Sequence, residues 1–474
     1  MKIKRFSLYI LFLITFSIPD LATAQSSGLT LPQCINEAIT KNIQLNITKR
    51  SADLNQVNLD LARNAQYPSL NGNANQGFSF GKSLNPVTYQ YVNQNILTNA
   101  FSLSSSLVLF EGNQLVNTIK QDKILYEAGN MDVETYKNTI TISVANAYLQ
   151  VLLDYQLISI AQSSIETDKK QIDITNVMVT AGSVPELNLY QVQSQLAADQ
   201  LTLTNSQNQL ALDKLTLEQL MNKPASAGFD IDKPTLADPP VHIDSLPSSL
   251  IYDQSVESQP QVKSTEMKLA GANYGIDIAK GTAYPKLLLN SSISTNYSSS
   301  RTEPNGLYEP VEIGFLQSNP SSLVYTEEPR TGTYYFPKQI SDNIGEGFTF
   351  SLVVPIFNNY TIRANVQQAI INKDIAKLND DYTKQQFRQT IEQTYTGYFG
   401  ASKQYASTME ALRTETEAYD VMKVKYKSGS ANASDLILEQ NKFVAAESQV
   451  AQAKYNYIFK QKVLDFYRGK PITL

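Results

Sequence analysis

The chain has 474 residues, a net charge of −5 and a pI near 5.3, a balance that excludes a nucleic-acid binder, which needs a basic surface. Cys34 is its only cysteine and His242 its only histidine. That excludes an intramolecular disulfide, a His/Cys metal cluster and a histidine-based catalytic dyad or triad, so the sequence points away from an enzyme and implies no cofactor or metal.

Lys2, Lys4 and Arg5 precede an apolar run from Phe6 to Ile18, and Ala22-Thr23-Ala24 supplies the small residues of a cleavage site. Residues 1–24 therefore read as a secretory signal peptide. No later segment reaches the roughly 18 consecutive apolar residues of a membrane-spanning helix. Cys34 follows Leu31-Pro32-Gln33, without the small residue expected before a lipid-modified cysteine, and reads as a buried helix residue.

From Leu31 to about Ala65 the apolar residues Ile35, Ala38, Ile39, Ile43 and Leu45 recur at helical spacing, and Tyr67-Pro68 stops the helix. The period then changes to two. Phe101, Leu103, Ser105, Leu107 and Leu109 alternate with Ser102, Ser104 and Ser106, so residues of about 69–110 form a hairpin of strands long enough to cross a bilayer when tilted. Residues 113–181 lack proline and are expected to form one helix about 100 Å long at about 1.5 Å per residue, with Gly182 as its cap. Pro185 suits the first turn of the next helix, 186–221. There Leu189, Leu196, Leu203, Leu210 and Leu217 keep a strict seven-residue spacing, the mark of a left-handed coiled coil.

Residues 225–249 are proline-rich and irregular, and the cycle then restarts. A helix is expected over about 250–281, and Tyr284-Pro285 repeats Tyr67-Pro68. A hairpin of about 286–354 follows, with a long Pro- and Tyr-rich loop over 299–342. A second proline-free helix covers 358–428, a heptad helix covers 434–468, and 472–474 close the chain.

The restart is an internal duplication. A shift of 247 residues carries Phe110 onto Phe357, Asn113 onto Tyr360, Gly182 onto Gly429 and Lys223-Pro224 onto Lys470-Pro471, with no gap. The five leucines land on Leu436, Phe443, Val450, Tyr457 and Leu464. The two structural repeats are 25–224 and 250–471, each reading helix, hairpin, long helix, half-helix. The paired short helices add up to nearly the length of each long one, so two short helices are expected to stack end to end beside it. Four amphipathic strands cannot close a barrel, and open edges in lipid are forbidden, so at least one further copy must complete it.

The signal peptide, the duplicated pattern, Tyr-Pro before the strands, Pro355-x-Phe357 before the long helix and Gly429-x5-Asp435 at the helix turn together resemble the TolC family of outer-membrane efflux proteins. The resemblance covers essentially the whole mature chain. It implies an α+β membrane protein: a long antiparallel coiled-coil tunnel in the periplasm and a twelve-stranded barrel shared by a homotrimer in outer-membrane lipid. It implies the passive exit duct of a tripartite efflux or type I secretion system, with a periplasmic adaptor and an inner-membrane transporter as partners.

It also places the turns Gly182-Ser183-Val184-Pro185 and Gly429-Ser430-Ala431-Asn432 at the adaptor end. Asp435 matches an aspartate that helps form an acidic ring at the constriction in some members; its duplicate here is Asn188, and Leu438 stands one turn further on. Tyr and Phe near strand ends, among them Phe78, Phe80, Tyr89, Tyr91, Tyr297, Tyr334, Tyr335 and Phe336, supply an interfacial girdle without Trp. The competing expectation is a periplasmic coiled-coil scaffold or surface adhesin, which has no use for membrane-length alternating strands.

Overall fold

The computed structural model describes residues 28–84, 91–93, 95–226, 228–240 and 247–474. The expected signal peptide, Tyr89 and His242 lie outside them. The two proline-free stretches form the longest helices, α3 (Gln114–Thr180) and α8 (Thr361–Lys427), each of 67 residues. Each is followed by a helix of 35 residues, α4 (Glu186–Leu220) or α9 (Ala433–Tyr467). Every bound of the second pair lies 247 residues after its counterpart.

The repeat extends to single backbone torsions. Left-handed φ values recur at Asn113 (60°) and Tyr360 (61°), at Gly182 (72°) and Gly429 (73°), and at Asn222 (51°) and Gly469 (85°). Gly129 does not break α3. It lets another helix approach, since a Cβ there would stand 3.3 Å from the Ala52 Cα. α8 likewise runs unbroken through Gly397 and Gly400.

The shorter helices depart from expectation. The first is split at Asn42 into α1 (Leu31–Lys41) and α2 (Ile43–Asn64), because Asn42 turns extended at ψ 119° while its N–H still bonds the Ala38 carbonyl. A capping box between Thr30 and Gln33 fixes the start of α1. Residues 250–281 are also not one helix. α5 (Ser248–Ser255) ends in a tight turn at Val256–Ser258, and α6 (Pro260–Gly281) starts afresh. Pro260 has no N–H to continue a helix and holds Gln259 extended at ψ 125°. Pro185 is the N-cap of α4 rather than its first helical residue.

β1 (Ser69–Ser79), β4 (Ile96–Glu111), β5 (Lys286–Ser298) and β8 (Gly345–Val353) form one antiparallel sheet in the order β1-β4-β5-β8. Between the first two strands, β2 (Lys82–Leu84) and β3 (Tyr91–Asn93) pair in a small hairpin. The segment 299–342 is not an irregular loop. It folds into a two-stranded ribbon of β6 (Thr302–Leu316) and β7 (Asn319–Thr333), then α7 (Phe336–Asp342). Its prolines fit because each strand of a lone ribbon has a free edge, where a missing N–H breaks no ladder. α7 is anchored to β5 by Gln339, whose Nε2 donates to the Ser298 carbonyl (3.0 Å) and whose Oε1 accepts from the Ser298 N–H (3.0 Å).

The described chain clusters into two compact units. One comprises Gln44–Tyr136 and Ser249–Ile391 and holds the sheet, the ribbon, α2 and α6. There α2 lies along the first part of α3, where the Asn55 amide donates to the Leu125 carbonyl at 3.3 Å. The other comprises Lys137–Ser248, Glu392–Leu474 and the chain up to Ile43. In it the proline-rich belt is tied down by tyrosines: the Tyr148 hydroxyl donates to the Asp232 carbonyl (2.7 Å) and the Tyr457 hydroxyl to the Pro240 carbonyl (2.8 Å). Cys34 is fully buried in this unit, and burial pushes its thiol up to about 11, which keeps it protonated and inert.

Two glycines separate backbone strain from collision. Gly182 is left-handed in open space, whereas Gly112 is left-handed (65°) and a Cβ there would stand 2.3 Å from the Gly281 carbonyl oxygen. Gly182→Ala is expected to cost about 1–2 kcal/mol, the strain alone. Gly112→Ala is expected to cost distinctly more, as a larger drop in thermal midpoint.

Candidate functional site

The strand register sorts the sheet into two chemically different faces. Directly opposed residues share a face, so Leu103 aligns with Gly72 and Ile293, Phe101 with Ala74 and Thr295, and Leu289 with Leu107 and Phe350. Leu70, Phe348 and Leu352 continue this apolar side. Most of its large side chains are exposed in the single chain, with Phe348 at 77%. The other face aligns Asn73 with Ser102 and Ser294, Asn71 with Ser104 and Ser292, and Ser106 with Asn290 and Thr349. Asn75, Asn296, Ser351, Gly345 and Gly347 extend it. Hydroxyls, carboxamides and bare backbone make up most of that face, which ends in Val108, Leu288 and the ion pair of Lys286 with Glu111 at 3.1 Å. β1 and β8 each pair on one side only, leaving two open edges.

At the C-terminal end of each long helix, the turn closes on a left-handed glycine. The Gly182 and Ser183 N–H groups bond the Val179 and Met178 carbonyls, and those of Gly429 and Ser430 bond the Tyr426 and Lys425 carbonyls. The two turns then diverge. Asn432 caps α9, its Oδ1 accepting from the Asp435 N–H at 2.9 Å, whereas Pro185 offers α4 no side-chain cap. Asp435 is exposed and Asn188 half-buried, each in the first turn of its helix. Leu438 is 55% exposed, and Glu439 is occupied by Lys442 at 2.8 Å.

Beneath the turns the two hairpins are joined by a cluster that sequence reasoning missed. Val192 of α4 meets Tyr419 and Tyr426 of α8 and Ala433 and Leu436 of α9. Tyr419 stacks on Phe443 with ring centroids 5.4 Å apart. Inside it Tyr426 and Thr175 share a hydroxyl–hydroxyl bond of 2.8 Å, and Thr175 also bonds the Gln171 carbonyl at 2.8 Å. Both side chains are fully buried. Gln440 of α9 reaches Asp168 of α3 at 2.5 Å. The available signal was spacing: Thr175 lies one heptad beyond Asp168, and Tyr426 three residues before Gly429. The heptad stripe of α9 is well buried at Leu436, Tyr457 and Leu464, but that of α4 is fully buried only at Leu217.

No helix among the described residues is long and apolar enough to cross a membrane, and they contain no group of three or more His, Cys, Asp or Glu able to hold a metal ion.

The family model for outer membrane efflux proteins matches residues 34–223 and 251–469. The chain is 24% identical over 333 residues to the pyoverdine export outer membrane protein OpmQ of Pseudomonas aeruginosa, covering 69% of this chain and 60% of that protein. It is 20% identical over 435 residues to the outer membrane efflux protein BepC of Brucella suis, covering 90% and 83% of the two chains. The match to the Pseudomonas putida OpmQ spans 62% of that relative, so the chain spans under two thirds of both pyoverdine export proteins. Among solved structures, the outer membrane protein VceC of Vibrio cholerae superposes with a TM-score of 0.74 at 13% identity, covering 94% of this chain and 97% of that one. The open state of the Neisseria gonorrhoeae MtrE outer membrane channel gives 0.69 at 18% identity, covering 92% and 88%.

The Thr175–Tyr426 pair makes an asymmetric prediction. With Thr175 donating to the Gln171 carbonyl, the Tyr426 hydroxyl donates to Thr175. Thr175→Val orphans a buried donor and is expected to cost about 1–3 kcal/mol, while Tyr426→Phe removes only a donor and costs about 1 kcal/mol. In a double-mutant cycle by denaturant unfolding, the second change should add little once the first is made.

Proposed function

Because the chain belongs to the outer membrane efflux protein family, we propose that it is the outer-membrane exit duct of a tripartite efflux or type I secretion system. It acts as a homotrimer that conducts substrates passively from a periplasmic adaptor and an inner-membrane transporter to the exterior. The observation that carries this reading is the two-faced sheet with two unpaired edges. In hydrocarbon each bare N–H or C=O costs several kcal/mol, so the edges must find strands elsewhere. Three copies contribute twelve strands, with β8 of one chain pairing with β1 of the next. The apolar face then meets lipid and the Asn/Ser/Thr face lines the lumen. A periplasmic scaffold or adhesin gains nothing from such a sheet.

In this reading the helices carry the passage into the periplasm, and the turns at Gly182–Pro185 and Gly429–Asn432 meet the adaptor. Three copies of Asp435 ring the entrance, where like charges favour cations and press the ring open. Asn188 stands at the equivalent place in the first hairpin and dilutes that charge to one carboxylate per chain. The relatives' role in pyoverdine export fits a duct whose barrel wall is mostly Asn, Ser and Thr.

Extraction should require detergent, and the protein should run on gels as a trimer that collapses on heating; full solubility without detergent sinks the channel reading. In planar bilayers, Ser104→Lys places three cations on the Asn/Ser part of the wall, beside Asn71 and Ser292, and should turn ion selectivity toward anions. Asp435→Asn should lower cation preference, and an unchanged selectivity removes Asp435 from the entrance ring.

A further inference from the structure

The leucine line of α4 has a companion. Three residues after Leu189, Leu196, Leu203 and Leu210 stand Val192, Asp199, Ser206 and Asp213, the second core line of the same heptads. On α3 the line Asp154, Ala161, Asp168, Thr175 recurs at the same interval. The matching intervals set Asp154 against Asp213 and Asp168 against Asp199, each acting electrostatically on its partner. The second pair is also linked by Gln440, which donates to Asp168 and to Ser164, the residue that donates to Asp199. The partners are spaced 14 residues apart on both helices, so two core layers of one antiparallel seam are carboxyl against carboxyl.

The donors around each pair are unequal. On α4, Gln209 donates to Asp213 at 2.9 Å and Gln195 to Asp199 at 2.8 Å, each from one turn earlier, and the Ser164 hydroxyl donates to the second oxygen of Asp199. On α3, Asp154 is 2% and Asp168 1% exposed, and each has one oxygen bonded to an amide: Gln150 at 3.3 Å and Gln440 at 2.5 Å. The Oδ2 of each is buried with no donor. A carboxylate facing a carboxylate in low dielectric is strongly unfavourable; a carboxylic acid facing a carboxylate is a strong hydrogen bond.

Among the described residues, the cations near either pair are engaged elsewhere. Around Asp168 stand Asp199 and Gln195 from α4, Gln440 from α9 and the buried Tyr419 phenol from α8. Around Asp154 and Asp213, Lys214 is engaged with Asp230 at 3.1 Å, as is Lys233 at 3.0 Å, and Tyr155 donates to the same Asp230. α9 supplies Lys454, tied to Asp238 at 2.7 Å, and Glu447, itself raised by burial.

We propose that the α3–α4 seam holds two proton-binding sites, Asp154–Asp213 and Asp168–Asp199, each closed by one shared proton. When the protons leave, like charges push the two helices apart. This does not rest on the channel reading, since it concerns the coiled coil itself. Burial, then the facing aspartate, pushes both α3 carboxyls up to about 7. Their folded values lie above the ordinary aspartate value of 3.8, so the folded seam binds protons that the unfolded chain releases. Between about pH 4 and 7 each pair therefore lowers the folding constant about tenfold per unit of rising pH, and above that window the penalty is constant. The second hairpin is a built-in control. Shifted by 247 residues, the four aspartates meet Ala401, Glu415, Ala446 and Lys460, none of which makes an acid pair.

The test is an infrared titration of the detergent-solubilised full chain, reading the C=O stretch of protonated carboxyls. Wild type minus Asp154→Asn, and wild type minus Asp168→Asn, should each show one protonated carboxyl at about pH 6 that is gone by about pH 9. Asp213→Asn and Asp199→Asn, which offer an amide N–H in place of the proton, should abolish the same bands and serve if the α3 variants fail to fold. The Asp154→Asn/Asp168→Asn protein should melt higher than wild type at about pH 8 and lose that advantage at about pH 4. Absence of the difference bands at pH 6, or melting profiles with the same pH dependence as wild type, overturns the proposal.

Discussion

The constraint on which the rest depends is that a strand edge cannot be left bare in hydrocarbon. The sheet β1-β4-β5-β8 satisfies its inner ladders and leaves β1 and β8 half-paired. Its side chains already sort into two faces: one is mainly Leu, Ile and Phe exposed to whatever surrounds it, the other mainly Asn, Ser and Thr. A sheet of this kind standing alone in water would be an aggregation template. In the proposed trimer, strands from other copies close it into a wall whose two solvents differ. The rest of the chain carries that wall: each strand pair is joined to a 67-residue helix that is too long for a compact globule.

What could be read from the sequence was what acts locally. The glycines at the turns, Gly182 and Gly429, take a left-handed torsion that costs other residues free energy, so they mark helix ends wherever they stand. The alternation of Phe101-Ser102-Leu103-Ser104 fixes two faces without knowledge of the partner strand. The duplication adds strength because the same local marks recur in register, down to a left-handed Tyr360 opposite Asn113.

What was not legible depended on partners far along the chain or on small energy differences. Asn42 interrupts a helix without being proline or glycine, and nothing in its neighbourhood announces it. Pro260 did announce a break, but the helical period on either side outweighed it in the reading. The ribbon of β6 and β7 was hidden by its prolines, which count against a strand inside a sheet and not at the free edge of a two-stranded one. Thr175 and Tyr426 lie 251 residues apart, so neither identifies the other from sequence. The acid layers were hidden by the leucines beside them, because a heptad stripe draws attention to one core line and Asp199 and Asp213 sit on the other.

The two hairpins have therefore kept one backbone and filled it with different chemistry. In the second, the core at the corresponding depth is Ala401, Tyr405, Ala453 and Tyr457, with Tyr398 and Tyr405 packed on the Tyr457 ring at 5.4 and 6.2 Å. Its cohesion comes from apolar burial and ring contacts, which do not change between pH 4 and 8. In the first, two layers that a coiled coil would fill with leucine are given to aspartate, which weakens the seam unless a proton is bound. An ordinary polar core residue placed for register would be a single Asn, satisfied at every pH. Two carboxyl pairs, each with one buried α3 oxygen that has no donor, make the cohesion of that hairpin conditional. Val192, packed with Tyr426 and Leu436, ties the conditional hairpin to the unconditional one near their turns. The same cluster includes Ala433 and Leu436, which seat the first turn of α9 and Asp435.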